Sequence, residues 1–355
     1  MHFLRICILA LGLSAAVGAA AVSAQETDEI LFTVARPGYE TEMYVYDVDR
    51  AWLTKLSSDT ASNQDPSWSP DGKQIAFTVW SDATAEIYTL DIDSGAARNI
   101  SNSPSTQEQF PVWSPDGTMI AFLSDQGSEF EGVLYLHVMD ADGTNLRRLS
   151  DDRSQILDIQ WSPDSREIAF FTRRLGGEDN SHKITIVDVQ TGASRFLIDD
   201  PEVILFWPRW SPDGTKLLFT MGRPVSGHVY SELYIADLAT NEITQVTHRR
   251  VSIMFPEWSP DGEQIAFVSN LDGDKTSEIY LMNADGSNLH RLTRQEGNET
   301  MPVWSPDGAR IAFRSEDNDP QTDVTELYVV DVDGRHLKRL TYYNAWVGTI
   351  AWQPR

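Results

Sequence analysis

The sequence predicts an all-β protein, a seven-bladed β-propeller of four-stranded antiparallel blades whose ring is closed by the C-terminal strand. Three observations lead to this fold. The phrase Trp-Ser-Pro-Asp recurs at intervals of 45–49 residues, short alternating strands follow each copy, and two incomplete repeats stand at the ends of the repeated region. Four short strands in each unit of about 40–50 residues are typical of a propeller blade. The six complete copies begin at Trp68, Trp113, Trp161, Trp210, Trp258 and Trp304.

The fifth repeat illustrates the predicted blade. It reads FPEWSPDGEQIAFVS, then a loop, then SEIYLMNADGSNLHRLT. The strand that ends at Trp258 comes first, and Ser-Pro-Asp-Gly forms a turn, because Pro presets the second turn position and Gly suits the fourth. The segments IAF, EIYLM and LHRLT are the second, third and fourth strands. We therefore expect the repeated Ser and Asp to be turn residues and the Trp rings to fill the space between blades.

The two incomplete repeats make one further blade. Residues 29–58 contain the second, third and fourth strands without a Trp strand, and GTIAWQPR at residues 348–355 contains a Trp strand alone. Trp352 follows Trp304 by 48 residues, as in the other repeats. The sequence therefore predicts seven blades, and closure of the ring removes open sheet edges. A six-bladed ring with frayed ends is the alternative.

A glutamate stands at the start of the third strand in five blades, directly before Met, Ile or Leu and then Tyr. A repeated position of this kind predicts a blade-to-blade hydrogen bond rather than a functional site. These residues are Glu42, Glu86, Glu232, Glu278 and Glu326.

The first 24 residues differ from the rest and predict a secretory signal peptide, followed by a single propeller domain over residues 25–355. Arg5 precedes an apolar run, and Val22 and Ala24 suit a cleavage site. An uncleaved membrane anchor is the alternative. We expect a periplasmic or secreted bacterial protein with no membrane insertion after cleavage.

Composition excludes several classes of function. The only cysteine, Cys7, lies in the apolar run, so the mature chain has no disulfide, thiol nucleophile or zinc-thiolate site. The formal net charge of −25 argues against nucleic acid and anionic lipid as partners, since both attract basic surfaces. We expect no cofactor and a monomer.

The repeats resemble those of TolB-type propellers, which are relatives of the WD-repeat propellers. The segments that carry the resemblance are PVWSPDGTMIAFLS, PEWSPDGEQIAFVS and EIYLMNADGSNLHRLT, and it covers residues 29–355. TolB itself has an α/β domain before a six-bladed propeller, whereas here a few residues precede the first strand and seven blades are expected. The resemblance thus implies the fold, while a role in the Tol–Pal system does not follow from it. Similar repeats occur in dipeptidyl peptidases, but the chain has no G-x-S-x-G nucleophile elbow.

The candidate binding site is the mouth of the central channel, on the face that carries the longer and more variable loops. The residues three places before each Trp are expected to ring this mouth, and two neighbours add bulk. Blades two, four, five and six then offer an apolar arc, and blades one and three offer carboxylates. The ring residues are Asp65, Phe110, Asp158, Trp207, Phe255, Met301 and Thr349, and the neighbours are Phe206 and Met254.

Aromatic and Met side chains at a channel mouth suit a protein or peptide partner. The sequence therefore predicts an exported, non-catalytic scaffold with a partner in the cell envelope, although these side chains could also simply plug the channel. One alternative is an enzyme acting on polysaccharide, because similar seven-bladed propellers include oligogalacturonate lyases, which hold a metal with several histidines. The loop face offers only His182, His228 and His248, with no close ligand pair. A third hypothesis is a small-sugar binder that uses Trp207 and Trp346.

Overall fold

The fold is taken from a computed structural model of the chain. The structure describes residues 28–355 except for 37, 58–60, 82–83, 129, 131, 152–153, 175–181, 201, 226–227, 274–275, 317–323 and 344. The predicted signal peptide at residues 1–24 lies outside this part of the chain. Among the residues it does include, no helix has the length and apolar character needed to cross a bilayer.

The described residues form 28 strands, arranged in seven four-stranded antiparallel sheets. Each sheet is one blade, and its first strand lines the channel. From the inside outwards, the first three blades are β4 (Ser62–Trp68), β5 (Gln74–Trp80), β6 (Ala85–Asp91) and β7 (Ala97–Asn99); β8 (Glu108–Trp113), β9 (Met119–Ser124), β10 (Tyr135–Asp140) and β11 (Arg147–Arg148); and β12 (Ser154–Trp161), β13 (Glu167–Arg174), β14 (His182–Asp188) and β15 (Ser194–Asp199).

The remaining blades repeat this order, and the seventh combines the two ends of the repeated region. They are β16 (Ile204–Trp210), β17 (Lys216–Val225), β18 (His228–Asp237) and β19 (Ile243–Gln245); β20 (Ile253–Trp258), β21 (Gln264–Ser269), β22 (Glu278–Asn283) and β23 (His290–Arg291); β24 (Asn298–Trp304), β25 (Arg310–Glu316), β26 (Thr325–Asp331) and β27 (Lys338–Arg339); and β28 (Trp346–Trp352), β1 (Glu29–Ala35), β2 (Glu42–Asp47) and β3 (Trp52–Lys55).

The C-terminal strand closes the ring. β28 pairs antiparallel with β1, so that Ile30 lies opposite Trp352 and Phe32 opposite Ile350. Both the number of blades and the mode of closure predicted from the sequence are confirmed.

The repeated Trp joins each blade to the one before it. Its ring is buried between the two sheets, and its indole N–H donates to the backbone carbonyl of the residue just before the preceding blade's Trp. Trp161, for example, donates to Val112 over 3.1 Å. The other five such bonds run from Trp68 to Ala351, Trp210 to Gln160, Trp258 to Arg209, Trp304 to Glu257 and Trp352 to Val303. Trp113 is the exception, since its indole nitrogen has no partner among the described residues.

The repeated Ser and Asp are turn residues, as predicted. In the turn after Trp113, the hydroxyl of Ser114 donates to the carboxylate of Asp116 over 2.6 Å and accepts the backbone N–H of Met119 over 2.9 Å. The same two bonds recur in the turns that follow the other complete Trp phrases.

The prediction for the third-strand glutamates is wrong. Glu278 accepts the hydroxyl of Thr293 over 2.7 Å, and Glu232 and Glu326 accept those of Thr247 and Thr341. Each threonine follows the fourth strand of the same blade. These three buried glutamates therefore tie the outer part of the blade to its own outgoing connection, where burial excludes water and requires the carboxylate to be hydrogen-bonded. Glu42 and Glu86 are half-buried, and each also accepts from the fourth strand of its own blade, from Lys55 and Asn99.

Candidate functional site

A β-bulge interrupts most innermost strands at the predicted ring position. In five blades the two residues out of register are a ring residue and a proline, as with Trp207 and Pro208. Proline has no N–H to give to the ladder, which favours a bulge at that point. The ring residue before it takes positive φ at Asp65 (51°), Phe110 (56°), Trp207 (51°), Phe255 (50°) and Met301 (52°).

The predicted ring is therefore not uniform. Asp158 and Thr349 also stand three places before a Trp, but neither is followed by proline and neither has positive φ. The seven positions are equivalent in the repeat and differ in backbone conformation, because the proline is present in only five blades.

An aromatic cluster spans the fourth and fifth blades. The rings of Trp207 and Phe255 have centroids 4.8 Å apart at an interplanar angle of 44°. Phe206 lies 5.1 Å from Trp207, and it also packs against Phe171 in the core between the third and fourth blades. Trp207 and Phe255 thus form a half-buried pair at the channel, which Phe206 supports from the core side.

Of the other apolar members of the predicted site, Phe110 and Met301 stand on other blades, whereas Met254 directly precedes Phe255 and packs against the same core as that residue. Phe110, on the second blade, is 45% exposed. Met254 packs against the core between the fifth and sixth blades, and Met301 is half-buried on the sixth. The structure therefore brings Phe206, Trp207 and Phe255 into direct ring contact and leaves Phe110 as a separate exposed aromatic.

A network of charged side chains crosses the channel wall. The sequence analysis did not predict this network. The Arg209 guanidinium contacts the carboxylates of Asp158 and Glu257, the latter over 2.6 Å, and so links the third, fourth and fifth blades. Burial opposes the charge of Arg209, but the two carboxylates outweigh it and raise the pKa of this residue. Burial raises the pKa of the Glu257 carboxyl, against the attraction of Arg209. The signal in the sequence is an Arg and a Glu directly before Trp210 and Trp258, a position held by Ser, Val, Gln or Ala in the other blades.

Asp65 differs from Asp158 in having no partner among the residues that the structure describes. No hydrogen bond or ion pair reaches its carboxylate from the described residues, and burial raises the pKa of this group to about 6. Of the two carboxylates predicted at the mouth, Asp158 thus forms an ion pair with Arg209, whereas Asp65 has no counter-charge among the described residues.

Two further carboxylates are buried on the innermost strands, five places before a Trp. Glu108 is 2% and Glu299 0% exposed, and Oε2 of each has no partner among the described residues. Burial raises the pKa of Glu108 to about 7, against hydrogen bonds from Thr106 and Ser124. Burial, helped by the charge of Glu278, raises the pKa of Glu299 to about 8.

Replacing Glu299 by Gln is expected to stabilise the protein at alkaline pH. Between the unfolded pKa near 4.5 and the folded pKa of about 8, the native state holds a proton that the unfolded state has lost, so stability falls as pH rises through this window. The side-chain amide of Gln does not ionise, so the variant does not lose this part of its stability over this pH range. The measurement is the difference in melting temperature between Glu299→Gln and the wild type. This difference should be near zero at pH 4.5 and largest above pH 8. The exposed Glu263→Gln is the control, and a variant less stable than the wild type at pH 8 would contradict the expectation.

The loop-face histidines do not converge. His182 is buried, and its Nδ1 accepts the backbone N–H of Leu205 over 3.3 Å. His248 is exposed, and the side chain of His228 lies outside what the structure describes. Within the described ranges, no group of three or more His, Cys, Asp or Glu side chains is placed to hold a metal ion.

Trp346 begins β28 and is 42% exposed. The guanidinium of the buried Arg314 lies 5.3 Å from its ring centroid. The same guanidinium donates to the backbone carbonyl of Val347 over 3.1 Å. One ring face of Trp346 is thus occupied by a cation of the protein itself.

Comparison with known proteins places the chain in a family. The model of the TolB beta propeller domain matches residues 13–135, 131–273 and 226–355. A curated relative, the Protein TolB homolog of Chlorobium luteolum, is 31% identical over 166 residues, which are 47% of this chain and 35% of the relative. The chain thus spans about a third of the length of this relative.

Two solved structures show the same fold at low identity. The crystal structure of TolB from Acinetobacter baumannii has a TM-score of 0.58 at 19% identity, covering 92% of this chain and 67% of that one. An oligogalacturonate lyase in complex with manganese has a TM-score of 0.66 at 15% identity, covering 88% of this chain and 85% of that one. Together with the seven-bladed ring, the family match over nearly the whole chain shows that this protein belongs to the TolB β-propeller family.

Proposed function

We propose that this protein is an exported, non-catalytic scaffold of the bacterial cell envelope that binds a protein or peptide partner at the loop face and channel mouth. The supporting observation is the choice of side chains at the bulges. A backbone with positive φ favours Gly, Asn and Asp, yet four bulges carry Phe, Trp, Phe and Met. These residues strain the backbone there, and contact with a partner is the benefit that would offset the strain.

Trp207 and Phe255 are the expected centre of this contact. They are large, they already touch each other, and both are half-buried, so little conformational freedom remains to be lost on binding. Trp is enriched among the residues that dominate interfaces, and large aromatic side chains such as Phe bury much apolar area on contact. Export rests on the predicted signal peptide at residues 1–24, and the envelope location of the partner follows from it.

The test begins with the purified protein cross-linked in an envelope extract, and the captured partner is then purified for binding measurements. Each truncated hot-spot residue costs about 2 kcal/mol or more, so Trp207→Ala/Phe255→Ala is expected to bind at least about 30-fold more weakly. Its melting temperature should stay within a few degrees of the wild type. Trp52→Ala is the matched control, because Trp52 is 43% exposed on the outermost strand β3. Equal binding by the double variant would sink the proposal.

The alternative is an enzyme acting on polysaccharide or a small-sugar binder. The fold likeness to the manganese-bound lyase and the exposed ring of Trp346 are what favour it. Stoichiometric Mn²⁺ binding, or cleavage of an acidic oligosaccharide, by the same preparation would support this alternative over a scaffold.

A further inference from the structure

The channel wall carries an unbalanced negative charge. The fourteen residues that stand three or one place before the seven Trp residues include three acids and one base: Asp65, Asp158, Glu257 and Arg209. Arg209 contacts both Asp158 and Glu257. Of these three acids, Asp65 is the one that forms no ion pair with a described residue.

The position of Asp65 relates it to the aromatic pair. Asp65 belongs to the first blade, whereas Trp207 and Phe255 belong to the fourth and fifth. In a ring of seven blades, the fourth and fifth are the two opposite the first. The three residues occupy equivalent bulges in their repeats, so their positions lie on opposite sides of the channel mouth.

A cation is the ligand that fits between such groups. A carboxylate stabilises it by charge, and the face of an aromatic ring attracts it within about 6 Å of the centroid. The exposed Phe110 on the adjacent second blade offers a further ring. An anion or an uncharged apolar group would leave the carboxylate of Asp65 desolvated and unpaired, which is unfavourable.

We propose that the mouth receives a positively charged group of the bound peptide, a Lys or Arg side chain or an N-terminal ammonium, between Asp65 and the Trp207–Phe255 pair. This inference rests on the proposed peptide-binding function and names the chemistry of its ligand. Burial raises the pKa of Asp65 to about 6, which reflects the same cost of an unpaired charge that a bound cation would remove.

The variant that tests this is Asp65→Asn. Asn tolerates positive φ as well as Asp does, and the Asp65 side chain makes no hydrogen bond to a described residue that would be lost. The melting temperature should therefore be unchanged within a few degrees. Glu263→Gln removes one negative charge at the exposed turn after β20, at the other end of that strand from Phe255, and is the matched control for net charge.

The probe is a set of three random hexapeptide libraries whose random positions exclude Lys, Arg and His. The first two are N-acetylated and differ at one position only, which is fixed as Lys in the first and as norleucine in the second. A third library carries norleucine with a free N-terminus. Peptides retained by the full-length mature protein are quantified by mass spectrometry. The wild type and Glu263→Gln should retain Lys or free-amine peptides at least tenfold better than acetylated norleucine peptides. Asp65→Asn should lose this preference, and Trp207→Ala/Phe255→Ala should lose retention of all three.

The outcomes separate the two proposals. If the wild type retains all libraries equally and the aromatic double variant retains none, the mouth binds peptides but the cation inference is wrong. If Asp65→Asn keeps the tenfold preference, Asp65 is not the acceptor and the inference is again overturned. If the wild type retains no library, peptide binding at the mouth fails and the inference fails with it.

Discussion

A chain that ends at Ala345 is expected to lose its cooperative unfolding transition and to aggregate. The deletion removes β28, which is the innermost strand of the seventh blade, and so leaves β1 as an open edge with Ile30 and Phe32, both fully buried in the intact ring, uncovered. It also removes Trp352 and the backbone carbonyl of Ala351, which accepts the hydrogen bond from the indole N–H of Trp68. An apolar open edge of this kind is a template for pairing with other chains.

The matched control for this deletion removes only residues 353–355. These residues contribute ion pairs of Arg355 with Asp28 and Asp307 and hydrogen bonds of Gln353 to Gly72 and Glu29, but no strand. The shorter deletion should remain folded with a modestly lower melting temperature. Thermal unfolding and size-exclusion chromatography distinguish the two variants, and a monomeric, cooperatively melting chain ending at Ala345 would show that closure is not required.

The second large effect is expected at Arg209. Its side chain is 16% exposed and holds the carboxylates of Asp158 and Glu257. Removing one partner of a buried ionic network leaves the other charges uncompensated, and such changes cost about 3–5 kcal/mol. Arg209→Met should therefore destabilise the protein by about 3 kcal/mol, near the lower end of that range because the channel side chains keep some exposure.

Two controls isolate the uncompensated charge from the loss of the arginine itself. Asp158→Asn/Arg209→Met/Glu257→Gln removes all three charges together and should recover most of the lost stability, as expected for a network replaced as a unit. Arg223→Ala breaks the ion pairs to Asp200 and Glu202, but its side chain is 54% exposed, so the change should stay below about 1 kcal/mol. Denaturant unfolding of the four proteins measures this, and a triple variant no more stable than Arg209→Met would refute the explanation.

The architecture could be predicted because it depends on local patterns. The turn after each Trp, the alternation of the following strands and the constant spacing all lie within one repeat, and the two incomplete repeats fit together only as a seventh blade. The same spacing yields the expected positions around the mouth, which remain a prediction.

What the sequence could not supply was the pairing between repeats. Asp65 and Asp158 occupy the same place in the pattern, yet Asp65 has no partner within the described part of the chain, whereas Asp158 contacts Arg209 of the next blade. That difference depends on which residue a neighbouring blade presents, not on the repeat itself. The prediction for the third-strand glutamates was wrong for a related reason. A residue that recurs at the same position of each repeat indicates a repeated hydrogen bond, but it does not show whether the partner lies in the same blade.

The indole-to-carbonyl bonds have a consequence for how such rings arise and diversify. Among the described residues, six of the seven joints are made by the same donor and the same acceptor, with Trp113 as the exception, and the one that closes the ring, from Trp68 to Ala351, is of this same type. When a blade is duplicated or lost, its new neighbours therefore already carry the indole donor and the carbonyl acceptor. The number of blades can then change by one without a new type of interface. By the same reasoning, we expect the ring to form whichever blade contains the two chain ends. A circularly permuted gene that begins within another blade would encode the same ring.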